Sequence, residues 1–179
     1  MNSTALLVVD VQEALVAENP YNKEFTINNI EKLINNCRNS NMEVIYVQHD
    51  GGKGDELEAG TSGWQVYNQI SPKAGEKIVA KNYNSSFKNT ELKAYLEEKH
   101  IDTIILVGMQ TEYCIDTTCK VAFEHGFNLI IPEGTNTTFD NDYMTGKEIY
   151  EYYNFKIWNN RFAKLEKFQV VMALISGNN

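Results

Sequence analysis

The chain is poor in the residues that build linkers, staples and charged footprints. It has three prolines in 179 residues and no low-complexity run, which leaves no composition for a disordered linker. Its three cysteines, Cys37, Cys114 and Cys119, are an odd set without an export signal, which argues against a disulfide framework. Cys114 and Cys119 have no second pair at zinc-ribbon spacing, so no structural zinc site is expected. No cluster of Lys and Arg occurs, and the formal net charge is -8. That excludes nucleic acid and an anionic membrane as main partners, since both need a basic footprint. No apolar stretch approaches the length of a membrane span. The start, Met1 to Thr4, has no basic region, and the apolar run behind it is too short for a signal peptide. The expected compartment is the cytoplasm.

What is there reads as one ordinary globular domain over 1–179, with 42% hydrophobic and 22% charged residues. Ala5 to Val9 is a continuous apolar run, as suits a strand buried on both faces of a parallel sheet. Ile27, Ile30, Leu33, Ile34 and Cys37 form one helical stripe, with Thr26 as candidate N-cap. Val44 to Val47, Lys77 to Ala80, Thr103 to Val107, Asn128 to Ile131 and Phe162 to Leu165 read as further strands. Helices are expected near 90–99, 113–124, 142–159 and 168–175, the second closed by Gly126 in a left-handed cap. Strands alternate with helices, so the class is α/β: a three-layer α/β/α sandwich, with a mostly parallel sheet of about six strands. Between His49 and Lys77 lies a polar stretch crowded with glycine and holding Trp64; a loop of this length is usually functional.

Ligands of such sheets sit at the carboxyl ends of the strands. That rule singles out Asp10, His49, Lys81 and the segment after Val107. Cys114 opens a helix there, where the macrodipole favours a thiolate. An ammonium nearby favours it further, a carboxylate can take its proton, and the free N–H groups of the first turn can hold an oxyanion. Each residue also has a bland reading: a lone Cys as a small buried apolar group, a strand-end Asp as a turn residue, a strand-end Lys as a solvated one. Their shared sheet edge is what joins them. Nucleotide binding has no support: Gly51 to Asp55 lacks the phosphate-loop spacing, and no G-x-G-x-x-G follows the first strand.

The run from Val107 to Ile115, with Gly108, Thr111 and Cys114 at the spacing G-x-x-T-x-x-C, resembles the signature of the isochorismatase-like cysteine hydrolases. That superfamily includes nicotinamidases and N-carbamoyl amidohydrolases. Leu7 to Gln12 resembles its first-strand motif, Val79 to Lys81 followed by Ser85 to Phe87 its lysine segment, and Gly60 to Gln65 a loop seen in many members. The resemblance covers nearly the whole chain in order. It implies an isochorismatase-like, Rossmann-like hydrolase fold, with Asp10 as general base, Lys81 as positioning cation and Cys114 as nucleophile. It further implies a cis peptide at Met109–Gln110 and an oxyanion hole from the amides of Gln110 and Cys114. Nicotinamidases hold a divalent metal through an Asp-x-His pair and a further His; here His49 and Asp50 stand in the wrong order, so no metal and no cofactor is expected.

The implied substrate is a small amide or ureide. A vinyl ether of the isochorismate type, or a non-catalytic role in binding a small ligand, are the alternatives. Gln12, Trp64, Tyr83, Phe87 and Tyr113 lie near the motifs as candidate pocket residues, although aromatic rings there can equally pack the loop down. The aromatic-rich stretch from Tyr143 to Trp158 either covers the sheet or forms a subunit interface, and the resemblance implies a homodimer or homotetramer.

Overall fold

The computed structural model of the protein describes residues 4–177. The elements follow as β1 (Thr4–Val9), α1 (Glu13–Ala17), α2 (Lys23–Asn39), β2 (Glu43–His49), β3 (Lys77–Lys81), α3 (Leu92–Glu98), β4 (Thr103–Met109), α4 (Asp116–Glu124), β5 (Asn128–Pro132), β6 (Asn136–Thr137), α5 (Gly146–Glu151), β7 (Lys164–Glu166) and α6 (Phe168–Ile175). Two π-helical stretches, Thr111–Ile115 and Tyr152–Trp158, run into α4 and out of α5. The sheet has seven strands, one more than the sequence suggests, in the order β3-β2-β1-β4-β5-β7, with β6 paired to the end of β4. Every pairing is parallel. The added strand is β6, too short at two residues to show a hydrophobic pattern.

Strand alternation divides the core into two layers. Ala5, Leu7 and Val9 face a cluster with Leu92 and Leu96 of α3, Cys119 and Ala122 of α4, and Trp158. Leu6 and Val8 face the stripe Ile27, Ile30, Leu33, Ile34 and Cys37 of α2, together with Val171 and Ile175 of α6. Helices thus cover both sides of an apolar sheet, the arrangement that parallel strands require.

Two helix starts differ from the sequence reading. α2 begins four residues before Ile27, where Lys23 N–H donates to the Pro20 carbonyl, so Thr26 lies buried inside the helix instead of capping it. α5 begins after Thr145, which with Glu148 closes a capping box, and not at Asp142. Gly126 ends α4 at φ +88° as expected. In the aromatic segment Trp158 is fully buried against the sheet, while Tyr152 and Phe155 stay about half exposed. Among the described residues no helix is long and apolar enough to cross a membrane.

Candidate active site

Four adjacent strands, β3, β2, β1 and β4, end on one edge, and the residues at and after their ends converge. Asp10 follows β1 at φ +53° and is held by donating its N–H to the Val47 carbonyl at 2.9 Å. Gly108 stands opposite Val9 with φ +127°. A Cβ there would lie 2.0 Å from the Val9 carbonyl oxygen, so only glycine lets β4 close on β1 at this level. The close approach brings the turn that carries Cys114 against Asp10.

Lys81 ends β3 and pairs in register with His49 at the end of β2. β2 separates β3 from β1, so a side chain from β3 must cross two strand spacings, about 9.6 Å, to meet one from β1. A lysine and an aspartate reaching toward each other span that gap. Lys81 Nζ donates to Asp10 Oδ2 at 2.6 Å, faces His49 Nδ1 at 3.1 Å and donates to Cys114 Sγ at 3.3 Å. An ammonium has three N–H bonds, and each finds one acceptor here. Both ends of the Lys81–Asp10 pair are essentially inaccessible to water. The other Asp10 oxygen, Oδ1, is buried and makes no hydrogen bond to a described residue.

The electrostatics differ from the sequence expectation at one point. Burial pushes the Cys114 thiol up to about 12; the Asp10 charge adds to this and the Lys81 charge opposes it. The resting group is therefore a thiol, not the thiolate expected from a helix start beside an ammonium. Loss of water outweighs both favourable effects. His49 is held below its ordinary range, first by burial and then by the Lys81 charge, so its ring is neutral and accepts from the ammonium.

A cavity of about 230 Å³ opens over these groups, lined by Asp10, His49, Asn84, Gln110, Tyr113 and Cys114, with Leu15, Leu57 and Met109 as apolar wall and Asp55 and Glu56 on the loop side. The Met109–Gln110 peptide bond is cis. Under the turn lies a second polar cluster. Thr111 donates to Asn136 Oδ1 at 2.9 Å, Asn136 donates to Asn154 Oδ1 at 2.9 Å, and Asn154 donates back to Asn136 at 3.0 Å and to the Tyr150 carbonyl at 2.8 Å.

Of the five residues expected to wall the cleft, Tyr113 lines it and four do not. Gln12 is fully buried, accepting from His49 N–H at 2.9 Å and donating to the carbonyls of His49 and Trp64, so its amide clips backbone together. Trp64 is half-buried and contributes its carbonyl to Gln12 and Gln48. Tyr83 points outward under the Lys88 ammonium, 3.9 Å from its ring centroid. Phe87 packs into the core against Phe127 and His125. The sequence reading gives His49 a place at the sheet edge but no role, and does not name Asn84. His49 was visible as a strand end; Asn84, whose Oδ1 lies 3.9 Å from Cys114 Sγ, carried no signal beyond nearness to Lys81.

Asp10, His49 and Cys114 present donor atoms within 4.8 Å of one another, a set that suits a cation. Lys81 Nζ already touches all three. A metal ion there has to displace an ammonium that cannot move without stranding Asp10.

The family model of the isochorismatase domain matches residues 4–149. YddQ, an isochorismatase family protein of Bacillus subtilis (strain 168), is 32% identical over 130 residues, covering 70% of this chain and 72% of its own length. A streptothricin hydrolase of Streptomyces noursei is 30% identical over 138 residues, covering 76% of this chain, which spans only 50% of that enzyme's length. A crystal structure of an isochorismatase family protein superposes with a TM-score of 0.87 at 27% identity, over 93% of this chain and 99% of that one. The parallel sheet, the strand-edge site and these matches together define the class, and the chain belongs to the isochorismatase family of hydrolases.

Proposed function

We propose that the chain is a cysteine hydrolase that cleaves the C–N bond of a small amide or ureide through a thioester on Cys114. The observation that carries this reading is the division of labour within one carboxylate. Asp10 Oδ2 is taken by Lys81, while Oδ1 is buried and unpartnered beside a neutral thiol. A buried acceptor without a partner is costly unless it has a use. Here it is the seat for a proton.

In this scheme Asp10 Oδ1 takes the thiol proton as Sγ attacks the substrate carbonyl carbon. The high thiol pKa requires transfer and attack to proceed together, because a free thiolate is too rare. The oxyanion is held by the N–H groups of Gln110 and Cys114. On collapse the C–N bond breaks and Asp10 returns the proton to the leaving nitrogen. Water then attacks the thioester, giving its proton to Asp10, which passes one back to the departing sulfur. Lys81 holds Asp10 Oδ2 in place and steadies charge on sulfur; His49 fixes the ammonium by accepting its third N–H.

Three free thiols fit a reducing compartment, so the proposed setting is the cytoplasm. The half-exposed rings of Tyr152 and Phe155 keep a homodimer or homotetramer as the proposed assembly.

The test is release of ammonia or amine from a panel of amides and ureides. Cys114→Ala and Asp10→Asn are expected to lose more than about a thousandfold in kcat/KM. Turnover that survives Cys114→Ala sinks the thioester route and favours vinyl-ether chemistry. No turnover on any amide, with a ligand that raises the melting temperature, favours a binding role.

A further inference from the structure

We infer that the cavity takes a substrate whose non-reacting part is neutral or cationic, and that it rejects one bearing a carboxylate; the identity of the reacting group rests on the hydrolase reading above. The lining supplies acids and no free base. Asp55 and Glu56 stand on the loop side, Asp10 on the floor, and among the described residues neither lysine nor arginine lines the space. Lys81, which borders the floor from beneath, is fully buried and spends its three N–H bonds on Asp10, His49 and Cys114. It cannot turn to a second carboxylate without leaving the first.

The arginines are elsewhere. Arg38 is held by Glu76, Tyr46 and the Ser71 carbonyl, and Arg161 borders a different surface hollow, beside Phe162 and Asn128. Loop amides are a second way to hold an anion, and those of the loop glycines Gly51, Gly52 and Gly54 are already used. Gly51 donates to the Leu57 carbonyl at 3.1 Å, Gly52 to Asp50 Oδ1 at 2.9 Å and Gly54 to Glu58 Oε2 at 2.7 Å. Asp50 is held below the usual carboxylate range, chiefly by the amides of Gly52 and Ala59, so the loop keeps its negative charge at neutral pH. Lys53 is exposed and lies outside the lining.

The acids alone would say little, since exposed carboxylates are common. The independent sign of a ligand is the buried, unpartnered Oδ1 of Asp10, a residue that lines the same cavity. Beyond the oxyanion turn, whose donors serve the reacting carbonyl, an anion finds only the uncharged side chains of Asn84, Gln110 and Tyr113. Ureides and amides that carry a carboxylate therefore meet like charge and find no cationic partner, whereas an ammonium meets Asp55 and Glu56.

The first test needs no turnover. Cys114 is modified with methanethiosulfonates of matched size bearing an ethylammonium, an ethylsulfonate or a neutral ethyl group, and the labelled peptide is quantified by mass. Rates are divided by those for 2-mercaptoethanol. The ammonium-to-sulfonate ratio at low salt is expected to exceed the reference about tenfold, and to shrink at high salt as exposed charges are screened. Asp55→Asn/Glu56→Gln, which keeps the contact from Leu57 N–H, is expected to bring the ratio back to the reference. A ratio at or below the reference in the wild type, or one the double variant leaves unchanged, overturns the inference. The second test compares ammonia release from glycinamide, propionamide and malonamate, with kcat/KM expected to fall in that order; malonamate leading overturns the inference. Turnover that persists in Cys114→Ala overturns the thioester reading instead, and the labelling ratio still decides the charge preference.

Discussion

Two buried polar clusters lie under one turn, and they are built on opposite plans. The Thr111–Asn136–Asn154 cluster is neutral and closed: the paired amides exchange hydrogen bonds and hand their surplus donor to a backbone carbonyl. The Asp10–His49–Lys81–Cys114 cluster is charged and open: the ammonium is fully used, while one carboxylate oxygen has no partner and the thiol is a poor acid. A closed network fixes shape, because each group has one satisfactory position. An open one stores an unmet demand that a substrate can answer. On the proposed mechanism, the difference separates residues that hold the turn from residues that act on a substrate.

The comparison breaks hardest at Lys81. Lys81→Met removes the partner of a buried carboxylate, and a loss of about 3–5 kcal/mol is expected in urea unfolding. Asp10→Asn/Lys81→Met removes both charges and keeps a residue tolerant of positive φ after β1. It is expected to regain most of that stability and to stay inactive. A single Lys81→Met variant as stable as wild type would mean that Asp10 is not charged in the fold. Asn154→Ala opens the neutral cluster and leaves Asn136 without its amide partner. The expected cost is smaller, about 1–3 kcal/mol, with activity reduced and not abolished. If Asn154→Ala proves as inactive as Cys114→Ala, the two clusters are one machine and the comparison fails. The finest test is the pH dependence of Cys114 alkylation by iodoacetamide. With the thiol pushed up to about 12, the thiolate fraction rises about tenfold per pH unit below that value. The rate is expected to climb from pH 7 to 10 without a plateau. A plateau near neutrality would show a preformed thiolate and undo the assignment of Asp10 as base.

The layers of the fold were legible because parallel strands buried on both faces leave unbroken apolar runs, as at Ala5–Val9 and Thr103–Val107. Asp10, Lys81 and Cys114 were legible as neighbours because the sheet edge converts strand ends into one place. β6 was not, since two residues carry no period. The pocket wall was hardest to read. Phe87 and Tyr83 both follow Lys81 closely in sequence, yet one turns into the core and the other into solvent. Side-chain direction in a loop depends on turns that leave no pattern. Gln12 misled for the opposite reason: it ends up at the site edge, but its amide serves the backbone of His49 and Trp64. The thiolate expectation failed because position along a helix was visible and depth of burial was not.

The cavity volume, about 230 Å³, falls below the roughly 300–1,000 Å³ that encloses a drug-sized molecule. A bulky compound is expected to enter by its tip, which on the proposed hydrolysis places the scissile bond near a chain end. The expected preference is then for linkages at the end of a molecule over those in its interior.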